Sequence, residues 1–273
     1  MRAGVRHAVM CAFVLLMIYP LIWMVVSSFK PGNLVLSEPG LVPSEVTFQN
    51  YRDGWNALDE PFSLFFANSL FVSVGSIVGN LVSCSLAAYA LARLEFRGRR
   101  LYFAITLVSV MLPLHVLVVP QYIFFSQLGM VNTYFPLLLP KFLATDAFFT
   151  FLMVQFIRTI PRELDAAAWV DGAGPFRIFW SVILPLMTPA LVTSAIFTFI
   201  WTWDDFFGPL VYLSDMNNYT VQLGLRSFVD STGKSDWGAL LAMSVVTLLP
   251  VFGLFIFFQR LLIEGIATTG LRG

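Results

Sequence analysis

Arg158-Thr-Ile-Pro-Arg-Glu-Leu-Asp-Ala-Ala-Ala-Trp-Val-Asp-Gly-Ala-Gly-Pro-Phe-Arg-Ile-Phe-Trp-Ser-Val-Ile-Leu-Pro185 is the one long polar, charged insert between apolar runs of membrane length. Pro161 suits the first turn of a helix, and residues 161 to 171 then run through strong helix formers. Gly172-Ala-Gly174 interrupts them, and Pro175 can open a second helix, so two short helices meet at a bend. On the second, Phe176, Phe179, Trp180 and Ile183 recur at i, i+3, i+4 and i+7, a stripe able to pack under a membrane domain. On the first, Ala166, Ala167 and Ala168 offer a flat surface to a cleft in another protein, with Glu163, Asp165 and Asp171 supplying charge around it. An amphipathic hairpin lying in the membrane interface fits the same pattern, and periodicity leaves both readings open.

Composition fixes the class around this insert. Hydrophobic residues make up 58% of the 273, charged residues 12%, and mean hydropathy is +0.80, against roughly 25% charged in an ordinary globular domain. These values describe an integral membrane protein. Sixteen basic and sixteen acidic residues cancel, so nothing points to nucleic acid or to a broadly charged partner.

A helix needs about 20 apolar residues to cross roughly 30 Å of hydrocarbon. Six segments reach that length, near residues 8 to 29, 63 to 92, 101 to 125, 135 to 157, 186 to 207 and 237 to 259. They predict an all-α polytopic protein, since the runs are too long for barrel strands. The first begins after Arg2 and Arg6 like a signal peptide, but no small-residue cleavage site follows, and it reads as an uncleaved anchor. With six spans, Arg93, Arg97, Arg99, Arg100, Arg158, Arg162, Arg177, Arg260 and Arg272 fall on the side of Arg2 and Arg6, and Lys30, Arg52, Arg226 and Lys234 fall opposite. The positive-inside bias therefore places both termini and the 158 to 185 loop, between spans four and five, in the cytoplasm. Residues 30 to 62 and 208 to 236 form two longer external segments.

Inside the spans the polar residues are few. Ser69, Ser73, Ser76, Asn80, Ser83, Ala87 and Ala90 line one face of the second, beside a Gly75-x-x-x-Gly79 pair. They make either a close-packing seam or part of a polar pathway. Lys141 and Asp146 lie five residues apart, off a common helical face, so each can pair with the other or with a neighbouring helix. Trp201-x-Trp203-Asp204-Asp205 ends the fifth span, where the tryptophans serve as interface anchors and the carboxylates can meet a polyhydroxylated solute. Cys11 and Cys84 lack metal-ligand spacing, His7 lies in the basic flank, and His115 sits between Pro113 and Pro120. No catalytic or metal-binding constellation emerges.

At this point the loop resembles the signature of permease subunits of binding-protein-dependent ABC importers: Glu-Ala-Ala, three residues, Gly, nine residues, Ile-x-Leu-Pro. Ala166-Ala167-Ala168, Gly172 and Val182-Ile183-Leu184-Pro185 keep both spacings, and Asp171-Gly172-Ala173 is similar to the form in carbohydrate importers. Similarity to maltose-type permease subunits extends over Asn50-Tyr51, Tyr89-Ala-x-Ala-Arg93 with Phe96 and Gly98, Tyr219-Thr220 with Gly224, and Gly265 with Gly270-Leu-Arg-Gly273. The family glutamate is replaced by Ala166, so its salt bridge to the ATPase does not carry over, and Glu163 or Asp165 is expected to supply the charge.

The resemblance implies a multi-pass subunit of a bacterial plasma membrane, with no catalytic residue and no cofactor of its own. It would work with a second permease subunit, two ATPase subunits holding ATP and Mg, an extracytoplasmic solute-binding protein and membrane lipid. The bent loop, with Pro185 at its end, and the tail from Glu264 would meet the ATPases. Residues around Ser227, Asp230, Gly233, Lys234 and Trp237 would reach the docked binding protein, and Asn80, Ser83, Trp203, Asp204 and Asp205 are pathway candidates. Import of a sugar is the first expectation. A polyamine or phosphate ester is the rival solute, and a six-span intramembrane enzyme the rival class, for which facing nucleophile, base or metal ligands are missing.

Overall fold

A computed structural model describes residues 2–229 and 236–270, with the side chains of 2, 3, 114, 115 and 260–270 outside the description. Among the described residues the regular structure is helical: α1 Arg2–Ser27, α2 Gln49–Asn56, α3 Phe62–Arg93, α4 Arg99–Val110, α5 Leu114–Gln127, α6 Phe135–Phe142, α7 Ala147–Thr159, α8 Glu163–Val170, α9 Pro175–Ile178, α10 Leu184–Leu186, α11 Thr188–Trp203, α12 Phe207–Tyr212, α13 Val221–Ser227 and α14 Trp237–Gly270. Packing divides them into two units, residues 1–67 with 219–252 and residues 68–218 with 253–273.

Four stretches are long and apolar enough to cross a membrane: Gly4–Ser27, Phe62–Arg93, Phe135–Thr159 and Trp237–Gln259. They coincide with the first, second, fourth and sixth expected runs. The fifth run is the second limb of a pair, Pro175–Leu186 and Thr188–Trp203, bent by 75°. The third expectation, one helix over 101 to 125, is corrected to α4 and α5, of 12 and 14 residues. Pro113 causes the break: it cannot donate to the preceding turn, its ring would clash with the carbonyl of Ser109, and it is extended at φ −63°, ψ 123°. At 1.5 Å per residue each half is about 20 Å long, short of the hydrocarbon thickness.

The first unit is organised around Lys30, which is fully buried. Its Nζ donates to the carbonyls of Glu38 and Gly40, each at 2.6 Å. Asn50 Nδ2 donates to the carbonyls of Ser28 and Lys30, and Ser28 Oγ shares a 2.7 Å hydrogen bond with the Tyr51 hydroxyl. The segment after α1 thus folds back on its own lysine. Phe62 packs edge-on to Phe65 and against Phe228.

In the second unit the core joins the C-terminal half of α3 and α7 to the loop that follows: Ala88, Tyr89, Ala92, Phe149, Met153, Ile157, Ala173, Ile178, Phe179 and Ile183 are all buried together. Ser73, Ser76 and Asn80 on α3 are buried as well, as a packing seam requires. At the opposite end Asn132, held at φ 63°, accepts at Oδ1 from the amides of Ser214 and Asp215, while its own amide donates to the Tyr212 carbonyl.

Candidate functional site

The segment after α7 is built by its punctuation. Ile160, extended at ψ 129°, ends α7. The acidic first turn of α8, Glu163 and Asp165, complements the positive end of the helix dipole. Gly172, at φ +78°, then stops it. The Gly172 amide donates to the Trp169 carbonyl at 3.0 Å and the Ala173 amide to the Ala168 carbonyl at 2.9 Å. This paired pattern is a Schellman C-cap, with the small buried Ala173 at its end. Gly174 is extended, and Pro175 starts α9.

Phe179–Ile183 continue as a π turn in which the Leu184 amide reaches back to the Phe179 carbonyl. The wider turn is where the helix admits Pro185, which has no amide hydrogen and would crowd the Ser181 carbonyl in a regular α-helix. Met187 then forms the joint of the 75° bend into α11.

Four contacts fasten this hairpin to α3. Arg93 Nε lies 3.0 Å from Asp165 Oδ2, with both side chains largely buried. The Nε–H is not aimed as a hydrogen bond, so that contact is chiefly ionic. Arg93 Nη2 donates to the Ile160 carbonyl at 2.6 Å. Tyr89 donates its hydroxyl to the Pro175 carbonyl at 3.0 Å and sets its ring 5.3 Å from that of Phe179. The end of α3 is fixed in turn by Arg99, whose guanidinium donates to the carbonyls of Leu91, Ala92 and Leu94.

The hairpin therefore has two faces. Ala173, Ile178, Phe179 and Ile183 are buried within the unit. Ala166 and Ala167 are exposed, as are Glu163, Asp171, Gly172 and Pro185, while Ala168 is half-buried. Trp169 is 56% and Val170 88% exposed, an apolar surface on a segment outside the spans. The stripe expected to pack under the membrane domain is corrected: only Phe179 and Ile183 turn inward, while Phe176 and Trp180 are exposed. Of the two carboxylates expected to replace the one missing at Ala166, Asp165 is committed to Arg93 and Glu163 is exposed.

A second polar centre sits between α3, α6, α7 and α11. Lys141 Nζ donates to Asp146 Oδ2 at 2.8 Å. Asn80 Nδ2 donates to the same oxygen at 2.8 Å and to Thr198 Oγ1 at 3.1 Å. Ser83 Oγ donates to the Lys141 carbonyl at 2.7 Å. The five-residue spacing permits the lysine to reach the aspartate because the chain is not helical between Phe142 and Ala147, where Ala144 takes φ 54°. Both sequence alternatives are thus realised: the pair forms, and a neighbouring helix joins it.

For the pathway candidates, burial is the discriminator. Asn80 and Trp203 are closed off, at 0% and 1% exposure, and present no surface to a solute in this conformation. Ser83 and Asp205 are half-buried and Asp204 exposed. Asp205 Oδ1 accepts from the Gly208 amide at 3.1 Å, fixing the turn after α11. Ser227 ends α13 and donates to the Leu223 carbonyl, and half-buried Trp237 starts α14. Asp230, Gly233 and Lys234 lie outside the described residues. The roles of Tyr89, Arg93 and Arg99 in fastening the hairpin were not read from sequence; a cluster of arginines at the end of an apolar run was the available signal.

Residues 79–267 match the family described as the binding-protein-dependent transport system inner membrane component. The diacetylchitobiose uptake system permease protein NgcG of Streptomyces coelicolor is 32% identical over 94% of this chain and 85% of its own length. The sn-glycerol-3-phosphate transport system permease protein UgpE of Yersinia enterocolitica is 32% identical over 95% of this chain and 94% of its own. A chain in the crystal structure of a bacterial ABC transporter involved in the import of the acidic polysaccharide alginate superposes with a TM-score of 0.84, at 25% identity, covering 94% of this chain and 95% of that one.

Proposed function

The chain belongs to the inner membrane components of binding-protein-dependent transport systems, and from that premise we propose that it forms half of an ATP-driven import pathway for a sugar or related polyhydroxylated solute. It crosses the bacterial plasma membrane six times with both termini in the cytoplasm, the broken α4 and α5 together making the third crossing. ATP is hydrolysed in two partner subunits, and a second permease completes the pathway.

The observation that carries the coupling role is the two-faced hairpin: one side bound to α3 through Arg93 and Tyr89, the other open and apolar at Trp169 and Val170. A partner that grips the open side moves α3 with it, because the inner side shares a core with α3 and α7. Rigid-body rotation of that kind converts closure of a motor into alternating access. Glu163 supplies the charge that Ala166 lacks. Asp204 and Asp205 stand at the outer end of α11, where hydroxyl groups of a solute can be met by carboxylates.

A phosphate ester is the second reading for the solute, supported by the likeness to the sn-glycerol-3-phosphate permease. The test is to assemble the chain with its companion permease, ATPase and binding protein in lipid and to measure ATP hydrolysis as binding protein is loaded with either class of solute. Stimulation by oligosaccharide supports the first reading and stimulation by glycerol phosphate the second. Failure to retain the ATPase sinks the coupling role.

A further inference from the structure

Two concave sites adjoin on the second unit. The first, of about 610 Å³, is lined by Arg93, Arg99, Arg158 and Arg162 with Glu163 and residues 159–161. The second, of about 700 Å³, is lined by Leu91, Phe96, Leu101 and Phe103 together with Glu95, Arg99, Arg100 and Arg158. Arg99 and Arg158 border both. Arg158 is stacked over the Phe103 ring, its guanidinium carbon 4.7 Å from the centroid. A cationic chamber and an apolar one thus share a wall made of two guanidinium groups.

We propose that this double site binds one anionic phospholipid, with the phosphodiester in the arginine chamber and an acyl chain along Leu91, Phe96, Leu101 and Phe103. The charge sign follows from the lining. Asp165 offsets Arg93, and the two glutamates are outnumbered by Arg99, Arg100, Arg158 and Arg162. The donors are also held in place. Arg99 spends three N–H bonds on the carbonyls of Leu91, Ala92 and Leu94 at the end of α3 and keeps two of its five for a ligand. Guanidinium groups match phosphate oxygens in pairs, which a zwitterionic headgroup satisfies less well because it brings its own cation. The apolar chamber gives the reason for a lipid over a soluble phosphate. Leu101 is 63% exposed and Phe96 also open, so an acyl chain would cover surface that an inorganic ion leaves bare. The site requires only that the chain sit in a bilayer and does not depend on which solute is carried.

The assembled transporter is reconstituted in equimolar phosphatidylglycerol and phosphatidylcholine, released into detergent, and the lipid retained per complex is counted by native mass spectrometry. Phosphatidylglycerol is expected to exceed phosphatidylcholine. Arg158→Gln and Arg162→Gln are each expected to lower its retention about five-fold, the weight of one charge near a membrane surface. Leu101→Gln is expected to lower it as well, and millimolar inorganic phosphate to leave it in place. Arg158→Lys, which keeps the charge, serves where the glutamine variant does not assemble, and is expected to retain more than half. Equal retention of the two lipids, or retention unaltered in the Arg158→Gln/Arg162→Gln variant, overturns the site. Displacement by phosphate with no effect of Leu101→Gln overturns the lipid in favour of a simple anion site. Retention with no solute-stimulated ATP hydrolysis would count against the transport reading while leaving this one standing.

Discussion

Arg93 and Asp165 meet at 3.0 Å, the first at the end of α3 and the second on the short helix α8. Because both side chains are largely buried, removing one leaves the other desolvated and unpaired, which costs about 3 kcal/mol in such pairs. Asp165→Ala is expected to lower the melting temperature of the purified chain and to open residues 158 to 185 to protease. The Arg93→Asp/Asp165→Arg exchange is expected to recover part of the loss. Additive effects in that double-mutant cycle would show that the two residues do not act together.

Glu163 should behave differently from Asp165. It is exposed, so Glu163→Ala is expected to leave the stability within about 0.5 kcal/mol of the parent and the melting temperature nearly unchanged. It is nevertheless expected to reduce solute-stimulated ATP hydrolysis, on the proposal that this carboxylate supplies the charge facing the partner. Asp165→Ala lowers both quantities. Unchanged coupling in Glu163→Ala would return the compensating charge to some other residue.

Gly172 sits at φ +78° with nothing within 4 Å of the position a Cβ would take. The cost of a side chain there is therefore backbone strain, not a clash. Gly172→Ala is expected to destabilise the hairpin by about 1 kcal/mol, Gly172→Val by more, and Gly172→Asn by least, because asparagine visits the left-handed region. Hydrogen exchange of the Ala173 amide, which closes the cap on the Ala168 carbonyl, reports the order directly. Equal effects of asparagine and valine would contradict it.

The sequence made the hairpin legible because its boundaries are written in local chemistry: Pro175 opens a helix and Gly172 stops one, while Pro161, expected in the first turn, lies just before the Arg162 N-cap of α8. Its fastening was not, since Arg93, Tyr89 and Asp165 belong to distant segments and no local signal pairs them. The buried edge of the second helix runs through Ile178, Phe179 and Ile183, one residue round from the stripe drawn through Trp180. The π turn at Phe179–Ile183 departs from the 3.6-residue period on which that stripe rests. The break at Pro113 was hidden for another reason. Hydropathy measures how apolar a run is, not whether its helix is continuous. Asn80 illustrates the ambiguity of polar residues in lipid, where a packing node and a pathway lining use the same side chains.

Lys30 shows the same limit outside the spans. A charge in a proline- and glycine-rich segment reads as solvated, yet its ammonium is buried on the Glu38 and Gly40 carbonyls. Lys30→Met keeps the chain length and strips the donors from both acceptors, with an expected loss of about 3 kcal/mol. Because Asn50 still holds the Ser28 and Lys30 carbonyls, the loss should appear as local opening of residues 30 to 47 in hydrogen exchange before global unfolding. Parent-like protection there would mean that the cage is incidental.

Lys141 and Asp146 carry the last test, because the pair sits between α3, α6, α7 and α11, tied in through Asn80 and Thr198. Asp146→Ala removes the partner of a half-buried ammonium and frees the Asn80 amide from one acceptor, at an expected cost of about 2 kcal/mol. Lys141→Met/Asp146→Leu removes both charges together, and an apolar pair of similar volume is expected to recover most of the stability. Transport separates the two roles the pair can play. If the double variant melts like the parent and still imports solute, the centre is structural. Restored stability with lost import would instead place the charges in the conformational change, since α6, α7 and α11 would then remain folded without the contact that switches between states.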